Sequence, residues 1–178
     1  MSVTKVVFLL VFSAVGAWID WRTRRLPNAL TVSAGVAGLA YHTVVGVIES
    51  GWTGAYQGLL FSTLGFATGF GLLLVVWLAR GGGAGDVKFM GAIGAWLGPK
   101  STLIVFCLAC LVAAVFVTWT LLRRLARRIL GGSDTNGGIP DQTPSHQSNL
   151  LPFGVPAAVA TCLYVGYVDV LRPWLLGP

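Results

Sequence analysis

The chain has 178 residues, of which 55% are hydrophobic and only 10% are charged, and its mean hydropathy is +0.78. So much apolar surface excludes an ordinary soluble domain and predicts a single all-α domain, residues 1–178, of a multi-pass membrane protein. We interpret the net charge of +6 as an orientation signal carried by short loops, and not as a surface for nucleic acid.

Five apolar stretches reach the length of about 17 to 25 residues that a membrane-spanning helix needs. In chain order they are Val3–Ile19, Ala29–Ile48, Gln57–Ala79, Ser101–Leu122 and Leu150–Leu171. A sixth stretch, Val87–Leu97, is too short to cross a bilayer upright with both ends in water. It crosses if one end lies in a protein-lined cavity, and otherwise it is re-entrant.

The basic residues decide between these two topologies. Arginines follow the first span and the Ser101–Leu122 span, and Arg80 and Lys88 flank the junction before the short stretch. If the short stretch crosses, every basic cluster lies on one side, which is the cytoplasm. We therefore predict six transmembrane helices in the plasma membrane, with a short fourth helix after a glycine-rich loop. Residues 131–149 are predicted to form a flexible cytoplasmic loop.

Two aspartates mark the candidate site. Asp20 ends the first span and Asp86 opens the short stretch, in a chain with only six acidic residues. An ionisable group at membrane depth costs roughly 2.5 kcal/mol or more at the bilayer centre, so it is a functional candidate. On a shared face the two carboxylates make a pair suited to acid–base chemistry. The alternatives are ion pairs, of Asp20 with a following arginine and of Asp86 with Lys88.

The residues around the aspartates have local preferences. Pro27 suits the start of the second helix, and Asn28 suits a cap or a turn. Glycines at Gly81–Gly83 and Gly85 allow another chain to approach the backbone closely. Asp86 is predicted to lie in the first turn of the short helix, where the helix dipole favours its anionic form.

Two other patterns are interpreted as structural. The small residues of Gly65–Gly69 and Gly91–Ala95 predict close helix packing within the chain. Cys107 and Cys110 form a C-x2-C inside an apolar run, but no second Cys or His pair is placed to complete a zinc site.

These residues resemble the motifs of a known family. Asp20 with Arg25-Leu26-Pro27-Asn28, together with Gly83-x-Gly85-Asp86-Val87-Lys88, is similar to the type IV prepilin peptidases, which are membrane-embedded G-x-G-D aspartic proteases. Leu151-Pro152-Phe153-Gly154 resembles the family's segment before the last helix, although Val155 replaces the usual proline. The resemblance implies that Asp20 and Asp86 are catalytic. It also implies that Gly83, Gly85, Lys88, Pro27 and Asn28 shape the substrate site.

The resemblance further implies cleavage at the cytoplasmic face, with water activated between the two aspartates and with no metal or cofactor. The implied partners are the lipid bilayer and a prepilin that carries a basic leader and a hydrophobic helix. The first two spans are joined by a short turn without paired cysteines. The chain is therefore similar to the compact members without methyltransferase activity, such as those of tight-adherence or Flp pili.

Three other functions stay open on the residues alone. The same aspartates would serve an ion- or proton-coupled transporter subunit, although the chain is small, shows no internal repeat and has both aspartates on one face. An assembly protein would pair its aspartates with arginines. A presenilin-like protease for other membrane substrates shares the G-x-G-D pattern, and only the motifs at Arg25–Asn28 and Pro152–Gly154 distinguish this sequence from that class.

Overall fold

A computed structural model describes residues 2–23, 27–79, 83–130 and 154–168 of the chain. These residues form five α-helices, which are α1 (Val3–Thr23), α2 (Asn28–Leu78), α3 (Ala84–Leu97), α4 (Pro99–Leu130) and α5 (Gly154–Gly166). No strand occurs in the described ranges, and the all-α class is confirmed. The predicted loop at 131–149 lies outside them.

Three helices have the length and apolar composition of membrane spans. They are α1, α2 and the part of α4 that ends at Arg123, and Val155–Gly166 adds a shorter apolar helix. The chain is therefore a membrane protein, as its composition predicts. On α2, Tyr56 and Trp77 are exposed, and 21 residues of helix separate them by about 32 Å. That distance is close to the roughly 30 Å of a hydrocarbon layer whose two faces such aromatic residues mark.

Two of the predicted spans are joined into α2 by a sharp reversal. The backbone leaves helical geometry at Gly51, where φ is 63° and ψ is −141°, a conformation that glycine adopts without steric cost. We call residues 28–50 the first limb and residues 51–78 the second limb. A Cβ atom on Gly46 would overlap the carbonyl group of Gly54. The two limbs therefore run antiparallel with their backbones in contact.

The second limb packs in the same intimate way against α3. A Cβ atom on Gly65 would overlap the carbonyl of Gly94, and one on Gly69 would overlap the carbonyl of Met90. Because later residues of the limb meet earlier residues of α3, the two helices are antiparallel. The prediction that these small residues serve packing within the chain is confirmed.

The short helix α3 forms the centre of the bundle. It has 14 residues, or about 21 Å, and every residue from Phe89 to Gly98 is buried. Gly98 ends it with a φ of 78° and donates its N–H to the Gly94 carbonyl at 2.9 Å. The Gly98 backbone lies against Gly65, near the middle of the second limb. The C-terminal end of α3 is therefore inside the bundle.

Candidate active site

Asp20 lies on the face of α1 that packs into the bundle. The buried residues of this helix recur at helical spacing and share that face; they are Leu9, Phe12, Ser13, Gly16 and Asp20. The Asp20 side chain is only 5% exposed, whereas its neighbours Trp18 and Trp21 are 62% and 73% exposed. The carboxylate therefore faces the protein interior, and the indoles face outward.

Asp86 lies in the first turn of α3, as the sequence predicts. The residue before that helix, Gly83, is extended, with φ −90° and ψ 141°, and its carbonyl accepts the Asp86 N–H at 3.1 Å. A Cβ atom on Gly83 would come within 3.2 Å of Asp86 Oδ2. The Asp86 side chain is buried, with 8% of its surface exposed.

Contacts between α1 and α3 fix how these two helices are aligned. The Phe8 ring stacks on Trp96 with centroids 3.9 Å apart. One turn further along α1, the Phe12 ring lies 5.0 Å from Phe89. After a second turn, a Cβ atom on Gly16 would overlap the same Phe89 ring. Since later residues of α1 meet earlier residues of α3, these helices run antiparallel.

This alignment places the two aspartates at the same level of the bundle. Asp20 lies one helical turn beyond Gly16, and Asp86 lies one helical turn before Phe89. Both side chains are buried. The helix packing thus brings two acidic residues that are 66 positions apart in the sequence to one end of the bundle.

Exposed aromatic and basic side chains lie at this same end of the bundle. Trp18, Trp21 and Trp77 are exposed here, and the Arg22 guanidinium lies 5.6 Å from the Trp18 ring. Exposed tryptophans with arginines are typical of the headgroup region of a bilayer. The two buried aspartates therefore lie at an end of the bundle whose surface has the composition of a membrane interface.

Lys88 contacts the start of α2. Its Nζ donates a hydrogen bond to Asn28 Oδ1 at 2.8 Å, which joins the ends of α3 and α2 two residues from Asp86. The prediction that Pro27 lies at the start of the second helix is confirmed, but Asn28 does not cap it. Pro27 is the extended N-cap residue, the helix begins at Asn28, and the start of α2 has no side-chain capping bond. The Asn28 amide oxygen instead accepts from Lys88.

The remaining motif residues are divided between described and undescribed parts of the chain. Gly85 is half-buried in the first turn of α3, next to Asp86. The predicted motif residues Arg25, Leu26, Gly81–Gly82 and Leu151–Phe153 lie outside the described residues.

Two buried polar side chains near α3 were not predicted from the sequence. His42 and Ser62 come from opposite limbs of α2 and are 7% and 0% exposed, and both bind backbone carbonyls of α3. A signal for them exists in the sequence, because a polar side chain in an apolar span lies against protein and not lipid. Their partners, however, depend on the packing of α2 on α3.

Several curated proteins are similar in sequence to this chain. Curated relatives include the prepilin leader peptidase/N-methyltransferases of Aeromonas salmonicida strain A449, which is 28% identical over 166 residues, and of Aeromonas hydrophila, which is 27% identical over 159 residues. These alignments cover 89% of this chain but 47% and 48% of the relatives. The protein of the same name from Xanthomonas campestris pv. campestris is 32% identical over 115 residues, covering 61% of this chain and 37% of the relative.

The chain thus spans about half the length, or less, of the curated relatives it matches. No solved structure matches it. The sequence profile of the type IV leader peptidase family matches residues 7–118. This stretch runs from α1 into α4 and contains both buried aspartates. This chain belongs to the type IV leader peptidase family.

Proposed function

We propose that this protein is a membrane aspartic endopeptidase that removes the basic leader peptide from type IV prepilins. The observation that carries the proposal is the antiparallel alignment of α1 and α3, which sets Asp20 and Asp86 at one level and buries both. Family membership supports the reaction class, and the names of the relatives support the substrate class.

The proposed chemistry needs one proton shared by two carboxyl groups. Two carboxylates held close together do not both ionise freely, so one stays protonated near neutral pH. The ionised group takes a proton from water as the water oxygen attacks the scissile carbonyl carbon. The protonated group gives its proton to the carbonyl oxygen, which yields a tetrahedral gem-diol. Collapse of this intermediate breaks the C–N bond as the leaving amine takes a proton from the aspartic acid that had received it from water. One hydroxyl of the gem-diol returns its proton to the other carboxylate, which restores the shared proton of the pair.

The location of the pair suits a cut at the membrane boundary. A substrate with a basic leader in water and a hydrophobic helix in the bilayer would present its scissile bond at the level of Trp18 and Trp21. We further propose that α1, both limbs of α2, α3, α4 and the last helix make six crossings of the plasma membrane. The arginine-rich ends of α1 and α4 would then be cytoplasmic, and so would the aspartates.

We also propose that the chain carries the peptidase reaction without the methyl transfer that the names of its relatives include. Only four residues, 24–27, separate the first two helices, and none of them is a cysteine. After cleavage of a prepilin in liposomes, mass spectrometry of the mature pilin should find an unmodified N-terminal amine. A mature pilin with an added methyl group, formed when a methyl donor is supplied, would contradict this part of the proposal.

The test is a cleavage assay in liposomes with a prepilin, of Flp type first, from the same genome. Asp20→Asn and Asp86→Asn keep side-chain size and remove the ionisable group. We expect each to lower the cleavage rate at least about 1,000-fold, because neither amide can take or hold the shared proton. Glu49→Gln is the matched control, since Glu49 is exposed next to the reversal of α2 at the far end of the bundle. It should cleave like the parent protein.

Circular dichroism and gel filtration would establish that each variant is folded. An aspartate variant that kept a substantial fraction of the parent rate would remove that residue from the mechanism. A folded parent protein that cleaved none of the prepilins offered would contradict the proposed function itself.

A further inference from the structure

The C-terminal end of α3 poses a hydrogen-bonding problem. The last four carbonyl groups of a helix have no partner within it, and an unsatisfied carbonyl away from water is costly. Leu97 and Gly98 are buried, so water does not reach this end freely. Pro99, four residues after Ala95, has no N–H to offer the Ala95 carbonyl.

Side chains of α2 supply the missing donors. Ser62 Oγ donates to the Ala95 carbonyl at 2.7 Å, and His42 Nε2 donates to the Trp96 carbonyl at 3.1 Å. The two donors come from different limbs of α2, and both are buried. The end of α3 is therefore held from two sides by bonds that depend on its depth in the bundle.

The Trp96 side chain adds a restraint on the rotation of α3. Its ring lies between Phe8 of α1, with centroids 3.9 Å apart, and Tyr41 of α2, with centroids 5.2 Å apart. Its Nε1–H donates to the Ala34 carbonyl at 2.9 Å. Because these contacts involve both flanking helices, α3 does not turn about its axis without breaking at least one of them.

We propose that His42, Ser62 and Trp96, which we name the α3 clamp, are positioning residues that set where Asp86 stands relative to Asp20. This inference rests on the proposed function. Asp86 lies ten residues before Trp96, or about 15 Å along a rigid helix. A tilt of roughly 10° about the clamp would move the carboxylate by about 2.6 Å, and a misplacement of about 1 Å is enough to cost 100-fold in rate.

Activity provides the first readout. Ser62→Ala and His42→Leu each remove one donor, whereas His42→Gln keeps an N–H near the Nε2 position. We expect the two deletions to lower kcat about 10- to 100-fold with KM within about twofold of the parent, because the substrate surface is unchanged. His42→Gln should restore most of the rate. Thr43→Val is the matched control, because the Thr43 hydroxyl bonds only the Leu39 carbonyl of its own helix, and it should match the parent.

Geometry provides a second readout that is independent of activity. In a background with alanine at the three native cysteines, Asn28→Cys and Lys88→Cys would be joined by a short bis-maleimide. The parent side chains at these positions are in contact, with Lys88 Nζ 2.8 Å from Asn28 Oδ1. Ser62→Ala and His42→Leu should lower the cross-linking yield at least about twofold, a shift that a loss of stability alone does not produce in the folded fraction.

The outcomes separate this inference from the proposed function. A parent that fails to cleave prepilin overturns the function, while the cross-linking yields still report on the clamp. Unchanged kcat and unchanged cross-linking in folded Ser62→Ala and His42→Leu overturn the clamp. If neither variant folds, Trp96→Phe takes their place, because it keeps the ring stack and removes only the N–H to Ala34; a parent-like kcat and yield in that variant overturn the clamp as well.

Discussion

The two ends of α3 are held in different ways: the C-terminal end is buried, whereas the N-terminal end is partly exposed. At the C-terminal end, Ser62 and His42 bind backbone carbonyls and Trp96 is stacked between two aromatic rings. At the N-terminal end, the helix starts after Gly83 without a side-chain capping bond, and Lys88 makes an exposed hydrogen bond to α2. The C-terminal end therefore has hydrogen bonds and ring stacking that fix the helix, whereas the N-terminal end has small residues beside the Asp86 carboxylate.

The C-terminal end of α3 is closely packed, whereas the N-terminal end leaves space beside Asp86. A close backbone contact at the fixed end contributes to stability, so a change there should act on folding first. Space beside Asp86 contributes little to stability, so a change there should act on turnover first. The following three predictions test this division, from the largest expected effect to the smallest.

Gly94→Ala should have the largest effect, and the effect should be on folding. Its Cβ atom would overlap the carbonyl oxygen of Gly65, so α2 and α3 would have to separate. Overpacking of this kind costs about 1–3 kcal/mol, which a lower midpoint of thermal unfolding in detergent would record. Gly71→Ala is the matched control, since a Cβ atom there meets nothing within 4 Å. Equal midpoints for the two variants would mean that this contact is looser than described.

Gly83→Ala should act on turnover with little change in stability. Its Cβ atom would lie 3.2 Å from Asp86 Oδ2, so the carboxylate would have to shift by a few tenths of an ångström. We expect a fall in kcat of about 10-fold, in proportion to the cost of misplacing a reacting group, and an unfolding midpoint like that of Gly71→Ala. A variant with parent kcat would show that the space beside Asp86 is not needed for catalysis.

Asn28→Ala should have the smallest effect of the three. It removes the acceptor of an exposed hydrogen bond from Lys88, and such a bond contributes about 0.5–1.5 kcal/mol. A decrease of a few-fold in the cleavage rate is expected, with kcat/KM as the measurement. Ser33→Ala is the control, because the Ser33 hydroxyl is exposed and bonds only within α2. A 100-fold loss in Asn28→Ala alone would instead give Asn28 a direct role with substrate.

Much of the local structure follows from the sequence. The short helix α3, the position of Asp86 in its first turn and the close packing of the small residues are all predicted correctly, because each depends on neighbours along one or two helices. Pro27 lies at the start of α2, as predicted. The role of Asn28 is missed, because its amide binds Lys88 from another helix, and a capping preference describes only the local chain.

The composition of the chain alone determined that it is a helical membrane protein, since the polar backbone of an apolar segment in lipid satisfies its hydrogen bonds within a helix. The spacing of Asp20, Pro27–Asn28 and Gly83–Lys88 pointed to the family. Tertiary structure decided the rest. The alignment of α1 on α3, which gives Asp20 and Asp86 one level, is set by side-chain packing at Phe12, Gly16 and Phe89. The bonds of His42 and Ser62 depend on where α3 ends against α2. Contacts between residues so distant in the chain are fixed only when the helices pack.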